Sequence, residues 1–244
     1  MEAPDALWRP VDWDERLFGL RTARIAPTTL SRDQAAATLA EIRAWGADVV
    51  HLLLESDHDA SVRVAEEHGF HLVDVRVTLR WRSGDAPLAG PSPGVRVRRG
   101  VAEDFAALEA TARTSYERTR YYQDPRYPRD HCGDLYAHWL SWSFGGGADR
   151  VLVAEKEGKP AGYVTCHGKA GEGDGSIGLV GVVAAFRGAG VASALVGAAQ
   201  SFFQGVPLPG ATVVTQGRNV EAQKVYERAG FRAHRVQLWY HLWL

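Results

Sequence analysis

Hydrophobic and polar positions along this 244-residue chain alternate with the periods of strands and helices. In the first third the pattern predicts strands at residues 7–11, 21–25, 49–54 and 70–81, and helices at 31–45 and 60–68. Ser31 is the expected N-cap of the first of these helices. The first third is therefore predicted to be α/β.

A break in this pattern falls at residues 83–94, which contain three prolines and three glycines and little that can pack in a core. We interpret this segment as a linker between residues 1–82 and residues 95–244. The pattern then restarts, with predicted strands at 95–98, 150–155, 159–167, 177–183 and 211–215, a terminal strand or strand pair, and helices at 102–114, 134–144, 191 onward and 219–229.

The turn at residues 187–192, Arg-Gly-Ala-Gly-Val-Ala, joins an apolar strand to a helix of small residues. Two glycines allow a tight turn that directs successive N–H groups outward, and the helix adds the positive end of its dipole. Such a turn is able to bind phosphate. The alternative is an ordinary strand-to-helix connection.

Residues 93–244 resemble the GNAT superfamily of acyl-CoA-dependent N-acyltransferases. The resemblance rests on the order of the predicted strands and helices and on two motifs. The first is R-G-x-G-x-A at residues 187–192, and the second is N-x-x-A-x-x-x-Y-x-x-x-G-F at residues 219–231. Ala184 departs from the pattern, because many members have proline after the strand. The resemblance implies an α/β (α+β) fold whose mixed, mostly antiparallel sheet is flanked by helices.

The resemblance also implies acetyl-CoA as co-substrate. Backbone N–H groups of the turn would hold its pyrophosphate, and the preceding strand would separate from the next one so that pantetheine enters the gap. The implied coenzyme-binding residues are Val182, Val183, Arg187, Gly188, Ala189, Gly190, Val191, Ala192, Asn219, Ala222 and Tyr226.

Tyr226 is the candidate general acid. Asn219 and Tyr226 lie about two helical turns apart and therefore share one helix face. A phenol with a pKa of about 10 can donate a hydrogen bond to a departing thiolate whose conjugate acid has a pKa near ~8.5. The alternative is that Tyr226 is an ordinary half-buried aromatic residue and Asn219 only a helix cap.

An internal repeat links the two parts of the chain. The matching positions are Leu54 with Thr215, Gly69 with Gly230, and Phe70 with Phe231. In this register Ala65 stands where Tyr226 does, and no glycine-rich turn precedes the copy. We interpret residues 1–82 as a degenerate GNAT-like half-domain that lacks a coenzyme site; the alternative is that two strand-helix-strand units look alike by chance.

A looser similarity extends over the whole chain and resembles the dTDP-fucosamine (4-amino-4,6-dideoxygalactose) acetyltransferases, which join a shortened N-terminal lobe to a GNAT domain. It rests on Phe18-Gly19, Gly69-Phe70, Arg120-Tyr121, Tyr136-Ala137 and Trp139. In this similarity Asp74 occupies the position of a carboxylate that accepts the amine proton, directly or through water. The alternative is a solvent-facing strand residue.

Residues 113–129 are rich in arginine and tyrosine. Guanidinium groups bind phosphate bidentately, and tyrosine rings can stack on a thymine, so this stretch has the chemistry to hold a sugar nucleotide. Within it Arg120 and Tyr121 are the favoured substrate-binding residues. The alternative is a solvated surface loop.

Charge and cysteine content exclude several classes of function. The chain has 28 basic and 29 acidic residues, so no nucleic-acid or membrane partner is expected. Cys132 and Cys166 have no metal-ligand spacing, and no disulfide or metal site is expected. Without a leader or a long apolar run, the expected location is the cytoplasm. The aromatic tail is expected to be a terminal strand in the core or at the edge of a homodimer; the alternative is a ligand-binding segment.

These observations predict an acetyl-CoA-dependent N-acetyltransferase acting on the amine of a nucleotide-linked, dTDP-type aminodeoxy sugar. Nothing in the sequence resembles an activated nucleophile, so direct attack of the amine in a ternary complex is expected. Two alternatives remain open: transfer to an aminoglycoside, protein amine or other small amine, and a coenzyme-binding sensor without catalysis.

Overall fold

The computed structural model describes residues 6–85, 92–171 and 173–244, and the chain falls into two compact units. Unit one consists of Met1–Arg76, Arg118–His131 and Val236–Leu244, and unit two of Val77–Glu117 and Cys132–Arg235. This division by compactness does not follow the predicted linker at 83–94, of which residues 86–91 lie outside the described ranges. The interpretation of residues 1–82 as a degenerate half-domain stays a prediction.

The described residues form ten strands: β1 (Trp8–Pro10), β2 (Thr22–Ile25), β3 (Val49–Glu55), β4 (His71–Arg82), β5 (Val95–Arg99), β6 (Arg150–Lys156), β7 (Lys159–His167), β8 (Gly175–Val182), β9 (Gly210–Gln216) and β10 (Arg232–Trp243). They form eight α-helices: α1 (Asp12–Phe18), α2 (Arg32–Trp45), α3 (Asp59–Glu67), α4 (Asp104–Thr114), α5 (Arg120–Gln123), α6 (Arg129–Trp142), α7 (Val191–Gly205) and α8 (Val220–Arg228). Strands β4 and β10 contribute residues to both units.

The sheet of each unit confirms the predicted fold class. In unit one the strands lie in the order β1-β2-β3-β10-β4, and in unit two in the order β4-β9-β8-β7-β6-β5. Only the pairs β2–β3 and β8–β9 are parallel among the pairings with assigned register, and the other five are antiparallel. Helices pack on these strands, so the fold is a mixed, mostly antiparallel sheet flanked by helices.

Each unit has its own apolar core. In unit one, α2 and α3 cover the strand face that carries Ile25, Leu52 and Leu54, all fully buried. In unit two, α7 packs against the sheet through Leu195 and Phe203. Because successive strand residues point to opposite faces, His51 of β3 lies on the face that α2 and α3 do not cover.

Local sequence signals placed most elements correctly. Ser31 begins α2 with a capping box, in which its Oγ accepts from the Gln34 N–H and Gln34 Oε1 accepts from the Ser31 N–H. The predicted turn between β6 and β7 contains Glu157 and Gly158, both with positive φ. The terminal segment forms one strand, β10, so the option of a strand pair was wrong.

Two helical segments were missed. Helix α1 lies where the sequence predicted only short strands and a break; three acidic residues in its first turn and the left-handed Gly19 after its last turn favour it. Helix α6 begins at Arg129 rather than near 134, and α5 lies within the stretch predicted to be irregular. Seven- and four-residue helices are too short to show a helical period.

Within the described ranges, no helix is long and apolar enough to cross a lipid bilayer. The same residues contain no group of three or more His, Cys, Asp or Glu side chains placed to hold a metal ion. Cys132 and Cys166 are buried thiols that form no disulfide.

Candidate functional site

The turn before α7 requires its two glycines. Gly188 and Gly190 have φ values of 77° and 81°, in the left-handed region that other residues rarely adopt. A Cβ on Gly190 would lie 2.5 Å from Ser92 Oγ, which itself donates a 2.9 Å hydrogen bond to the Gly190 carbonyl. The glycines therefore fix the direction in which the chain enters α7.

Within the part of the chain that the structure describes, no side chain caps the N-terminus of α7. This differs from α2, capped by Ser31, and from α8, capped by Asn219. The N–H groups of a first helical turn have no partner inside the helix, and the helix dipole makes this end positive. With the exposed Arg187 beside it, the turn has the chemistry of an anion-binding site.

Strands β8 and β9 separate near the middle of β8. Their parallel pairing extends only over Gly175–Ile177 of β8 and Ala211–Val213 of β9. The Val183 N–H donates to the Ala161 carbonyl on the β7 side at 2.9 Å. Because adjacent residues of a strand direct their amides to opposite edges, the amide groups of Val182 face the edge from which β9 has diverged.

Tyr226 is a buried residue of α8, only 6% exposed. Its ring centre lies 6.0 Å from that of Phe231 in the core of unit two. Burial raises the pKa of the Tyr226 phenol. The side chain is a hydrogen-bond donor at neutral pH, as any phenol with a pKa of about 10 or higher is, and the raised pKa makes it a weaker proton donor.

Two further phenols of unit two were not predicted to belong to the site. The hydroxyls of Tyr116 and Tyr163 are 3.0 Å apart, and the Tyr116 ring stacks on Tyr136 with centres 4.3 Å apart. Burial raises the pKa of Tyr116 well above its usual range, and the neighbouring phenols of Tyr163, Tyr226 and Tyr136 add to this effect. Tyr116 and Tyr163 come from α4's C-terminal flank and β7, so only the fold brings them together.

Asn219 has the role that the alternative reading gave it. Its side-chain oxygen accepts from the Ala222 N–H at 3.4 Å and caps α8. This contact fixes the start of the helix that carries Tyr226, while the half-buried Ala222 packs against the core of unit two. Direct contact of either residue with a coenzyme stays a prediction.

Asp74 is 3% exposed, so the reading of a solvent-facing strand residue was wrong. It lies on the part of β4 that belongs to unit one, and its Oδ1 accepts a 2.9 Å hydrogen bond from the Val75 N–H. Its role as the base stays a prediction.

Arg120 and Tyr121 lie on α5 in unit one. Tyr121 is 2% exposed; its hydroxyl donates to Asp14 Oδ1 at 3.0 Å and accepts from Arg120 Nη2 at 2.6 Å. Its ring stacks on Phe18 with centres 5.4 Å apart. This stretch is thus not a fully solvated loop, and Tyr121 packs against protein. Arg120 is half-buried. Contact of Arg120 and Tyr121 with a substrate stays a prediction.

A buried polar cluster of unit one, on the sheet face that α2 and α3 do not cover, was not predicted. The rings of His51 and His241 stack at 4.3 Å, and His241 Nδ1 lies 2.8 Å from Asp124 Oδ2. Burial and the nearby cations lower the pKa of His51 well below its usual range, so it is neutral. Its Nε2 is 2.7 Å from the Tyr127 hydroxyl.

Comparison with known proteins identifies relatives. The sequence profile of the acetyltransferase (GNAT) family matches residues 110–231. The spore coat polysaccharide biosynthesis protein SpsD of Bacillus subtilis (strain 168) is 30% identical over 156 residues, which are 64% of this chain and 50% of that protein. The chain thus spans about half the length of this curated relative.

Solved structures share the fold at low sequence identity. A GCN5-related N-acetyltransferase from Sphaerobacter thermophilus has a TM-score of 0.67 and 18% identity, covering 97% of this chain and 76% of its own. A tandem GNAT protein from the clavulanic acid biosynthesis pathway has a TM-score of 0.65 and 15% identity, and the match covers 92% of this chain and 76% of that protein. The profile match, the fold and the glycine turn agree: this chain belongs to the acetyltransferase (GNAT) family.

Proposed function

We propose that the chain is an acetyl-CoA-dependent N-acetyltransferase whose acceptor is the amino group of a nucleotide-linked aminodeoxy sugar, with dTDP as the expected nucleotide. The observation that best supports acetyl-CoA binding is the N-terminus of α7, which has no side-chain cap among the described residues and follows two glycines with left-handed φ values. It stands beside the edge where β8 and β9 separate.

The residues present fit acetyl-CoA. The N–H groups of residues 187–192 have the chemistry to bind its diphosphate, and the Arg187 guanidinium adds positive charge. The Val182 amide groups face the opened edge of β8 and are suited to bond pantetheine as an added strand would. The Val183 N–H already donates to Ala161, so we assign the backbone contact to Val182.

In this proposal the amine attacks the thioester carbonyl directly and the thiolate leaves. Tyr226 acts as the general acid through a hydrogen bond to the leaving sulfur, because burial raises the pKa of its phenol and disfavours transfer of the whole proton. Asp74 accepts the proton that the amine loses. Binding both substrates at once supplies proximity, and no covalent acyl-enzyme is needed.

Support for a carbohydrate acceptor comes from the relative SpsD, whose name places it in spore coat polysaccharide biosynthesis. The half-buried guanidinium of Arg120 offers a phosphate ligand in unit one. A nucleotide-linked amino sugar carries both an amine to be acetylated and a diphosphate to be bound.

We also propose that residues 1–82 arose by duplication of the C-terminal half of the GNAT domain, and the spacing of the elements supports this. Elements β3, α3 and β4 begin at residues 49, 59 and 71, and β9, α8 and β10 begin at 210, 220 and 232, so the spacing is the same. His58 caps α3 as Asn219 caps α8. At the start of α2, however, Ser31 occupies the N–H groups that a coenzyme phosphate would need.

The test is thiol release from acetyl-CoA with a panel of dTDP- and UDP-linked amino sugars, against aminoglycosides and polyamines. Tyr226→Phe is expected to lower kcat by about 10²–10⁴-fold with little change in KM for acetyl-CoA, because a general acid is lost and the ring remains. Tyr240→Phe, which removes the hydroxyl of another buried tyrosine, is the matched control and is expected to keep kcat.

Undiminished kcat in Tyr226→Phe would remove the general-acid role. Reaction of polyamines or aminoglycosides, with every sugar nucleotide inert, would overturn the acceptor. Binding of acetyl-CoA without thiol release for any amine would favour a sensor.

A further inference from the structure

Four arginines of unit one converge from separate segments of the chain. Arg9 and Arg24 stand directly opposite each other in the β1–β2 pairing. Arg76 belongs to β4 and Arg120 to α5. Like charges placed opposite each other across two strands destabilise a sheet, so the Arg9–Arg24 pair lowers the stability of the fold.

Trp239 of β10 contacts two members of the group. The guanidinium carbons of Arg24 and Arg120 lie 4.3 Å and 4.2 Å from the centroid of its indole ring. Arg76 Nη1 donates a 2.9 Å hydrogen bond to Oε1 of Gln237, two residues before Trp239 and on the same strand face. The indole and the amide thus hold guanidinium groups in fixed positions.

The electrostatics confirm that these side chains affect one another. Burial, followed by the positive charges of Arg120, Arg9 and Arg76, lowers the pKa of Arg24 to about 10. The carboxylate of Asp14 interacts with Arg120, but it is fully buried, accepts from Tyr121 and has a pKa raised by burial. An added anion would relieve the repulsion around Arg24.

We infer that Arg9, Arg24, Arg76 and Arg120, arranged around Trp239, form a binding site for the diphosphate of a nucleoside diphosphate. Planar guanidinium groups match phosphate oxygens bidentately, and two or more of them match a diphosphate. The chain has a net charge of -1 and therefore no general attraction for polyanions, so binding of an anion would depend on these four side chains. This inference rests on the proposed function, because it supplies the phosphate subsite of the proposed acceptor.

The test is isothermal titration of the full chain with dTDP, inorganic pyrophosphate and coenzyme A. Arg24→Met keeps an unbranched side chain against Trp239 and removes the charge. Arg21→Met is the matched control, because Arg21 also lies over a tryptophan of unit one, Trp45, at 4.4 Å. Arg9→Gln, at an exposed position, provides a second variant whose folding is not at risk.

The expected result is dTDP binding that Arg24→Met weakens by about tenfold or more, a loss typical of a charge-assisted contact, and that Arg21→Met leaves unchanged. Coenzyme A binding should be the same in the wild type and in all three variants. Pyrophosphate should displace dTDP from the wild-type protein. The melting temperature of Arg24→Met without ligand should not fall, since like-charge repulsion is removed.

The inference is overturned if dTDP does not bind at millimolar concentration, if Arg24→Met and Arg9→Gln leave its affinity unchanged, or if pyrophosphate fails to displace it. The proposed function can fail separately. If dTDP binds through Arg24 but no amino sugar is acetylated, the acceptor is wrong and the diphosphate site stands. If amino sugars react with the same KM in Arg24→Met, the function stands and this site is wrong.

Discussion

At the scale of single residues, burial decides what the ionisable groups of this chain do. Tyr226 is a motif residue, yet it is the enclosure by unit two that raises the pKa of its phenol. The same effect acts in the opposite direction on His51 and His241, whose pKa values fall because burial disfavours the charged ring. Both outcomes follow from the loss of water around a charge.

The buried His241 predicts a loss of stability in mild acid. Burial lowers its pKa to about 4, although Asp124 opposes the shift. In the unfolded chain a histidine has a pKa of about 6.5, so between pH 6.5 and 4 protons bind the unfolded state first. The free energy of unfolding should therefore fall as the pH drops through this window, with His241 contributing a slope of up to about 1.4 kcal/mol per pH unit.

Urea unfolding at several pH values between 7 and 4 measures this slope. His241→Asn keeps a hydrogen-bond donor near Asp124 and removes the titrating ring, so its slope should be smaller than that of the wild type. His138→Asn, at an exposed position, should leave the slope unchanged. Equal slopes for His241→Asn and the wild type would show that His241 does not control acid stability.

At the scale of elements, the strand–turn–helix from β8 to α7 is the decisive unit. Among the described residues no side chain caps its first-turn N–H groups, and its glycines set the direction in which the chain enters the helix. By contrast, α2 at the comparable place in unit one begins with a capping box. One helix start is thus chemically available to an anion, and the other is already satisfied by its own sequence.

Gly190→Ala should damage this element. A left-handed φ costs a residue with a Cβ about 1–2 kcal/mol, and the new Cβ would press on Ser92 Oγ. We expect a lower melting temperature and an affinity for acetyl-CoA that falls by about tenfold or more, both measured by calorimetry. Gly205→Ala is the control within α7: no heavy atom lies within 4 Å of its Cβ position, and it should stabilise by up to about 1 kcal/mol.

If Gly190→Ala bound acetyl-CoA like the wild type, the turn would not be the phosphate site. If Gly205→Ala weakened binding equally, the effect would belong to α7 as a whole and not to its first turn.

At the scale of the whole molecule, the units are built from segments distant in sequence. Residues 237–243 of β10 pair with residues 49–55 of β3 inside unit one. Likewise, Leu79 and Trp81 of β4 belong to the core of unit two. Neither the segment 1–82 nor the segment 95–244 therefore contains all the strands of a compact unit.

We expect residues 95–244 expressed alone to lack a cooperative unfolding transition, because the end of β10 loses its partner strand and unit two loses Trp81. Circular dichroism during heating measures this. Co-expression with residues 1–85 should restore a soluble complex, since the β3–β10 pairing then forms between two chains. A cooperative transition at the wild-type temperature for residues 95–244 alone would contradict the prediction.

Much of the fold could be predicted because its signals are local. The capping box of α2, the alternation of β6 and β7 and the motif around Tyr226 lie within a few residues of the structure they specify. Helix α1 was missed, since seven residues show too little periodicity. The face of Asp74 was uncertain for another reason: whether a strand residue is exposed depends on which segment covers it.

The sequence by itself determined the family, the fold class and the glycine-rich turn, and it named Tyr226 as the candidate acid, because each depends on short-range spacing within one strand, turn or helix. Only the tertiary structure decided that Tyr116 and Tyr163 meet near Tyr226's helix, and that Arg24 and Arg120 share one tryptophan. These groups come from segments far apart in the chain. Sequence spacing holds no record of such contacts, since strand order and burial create them during folding.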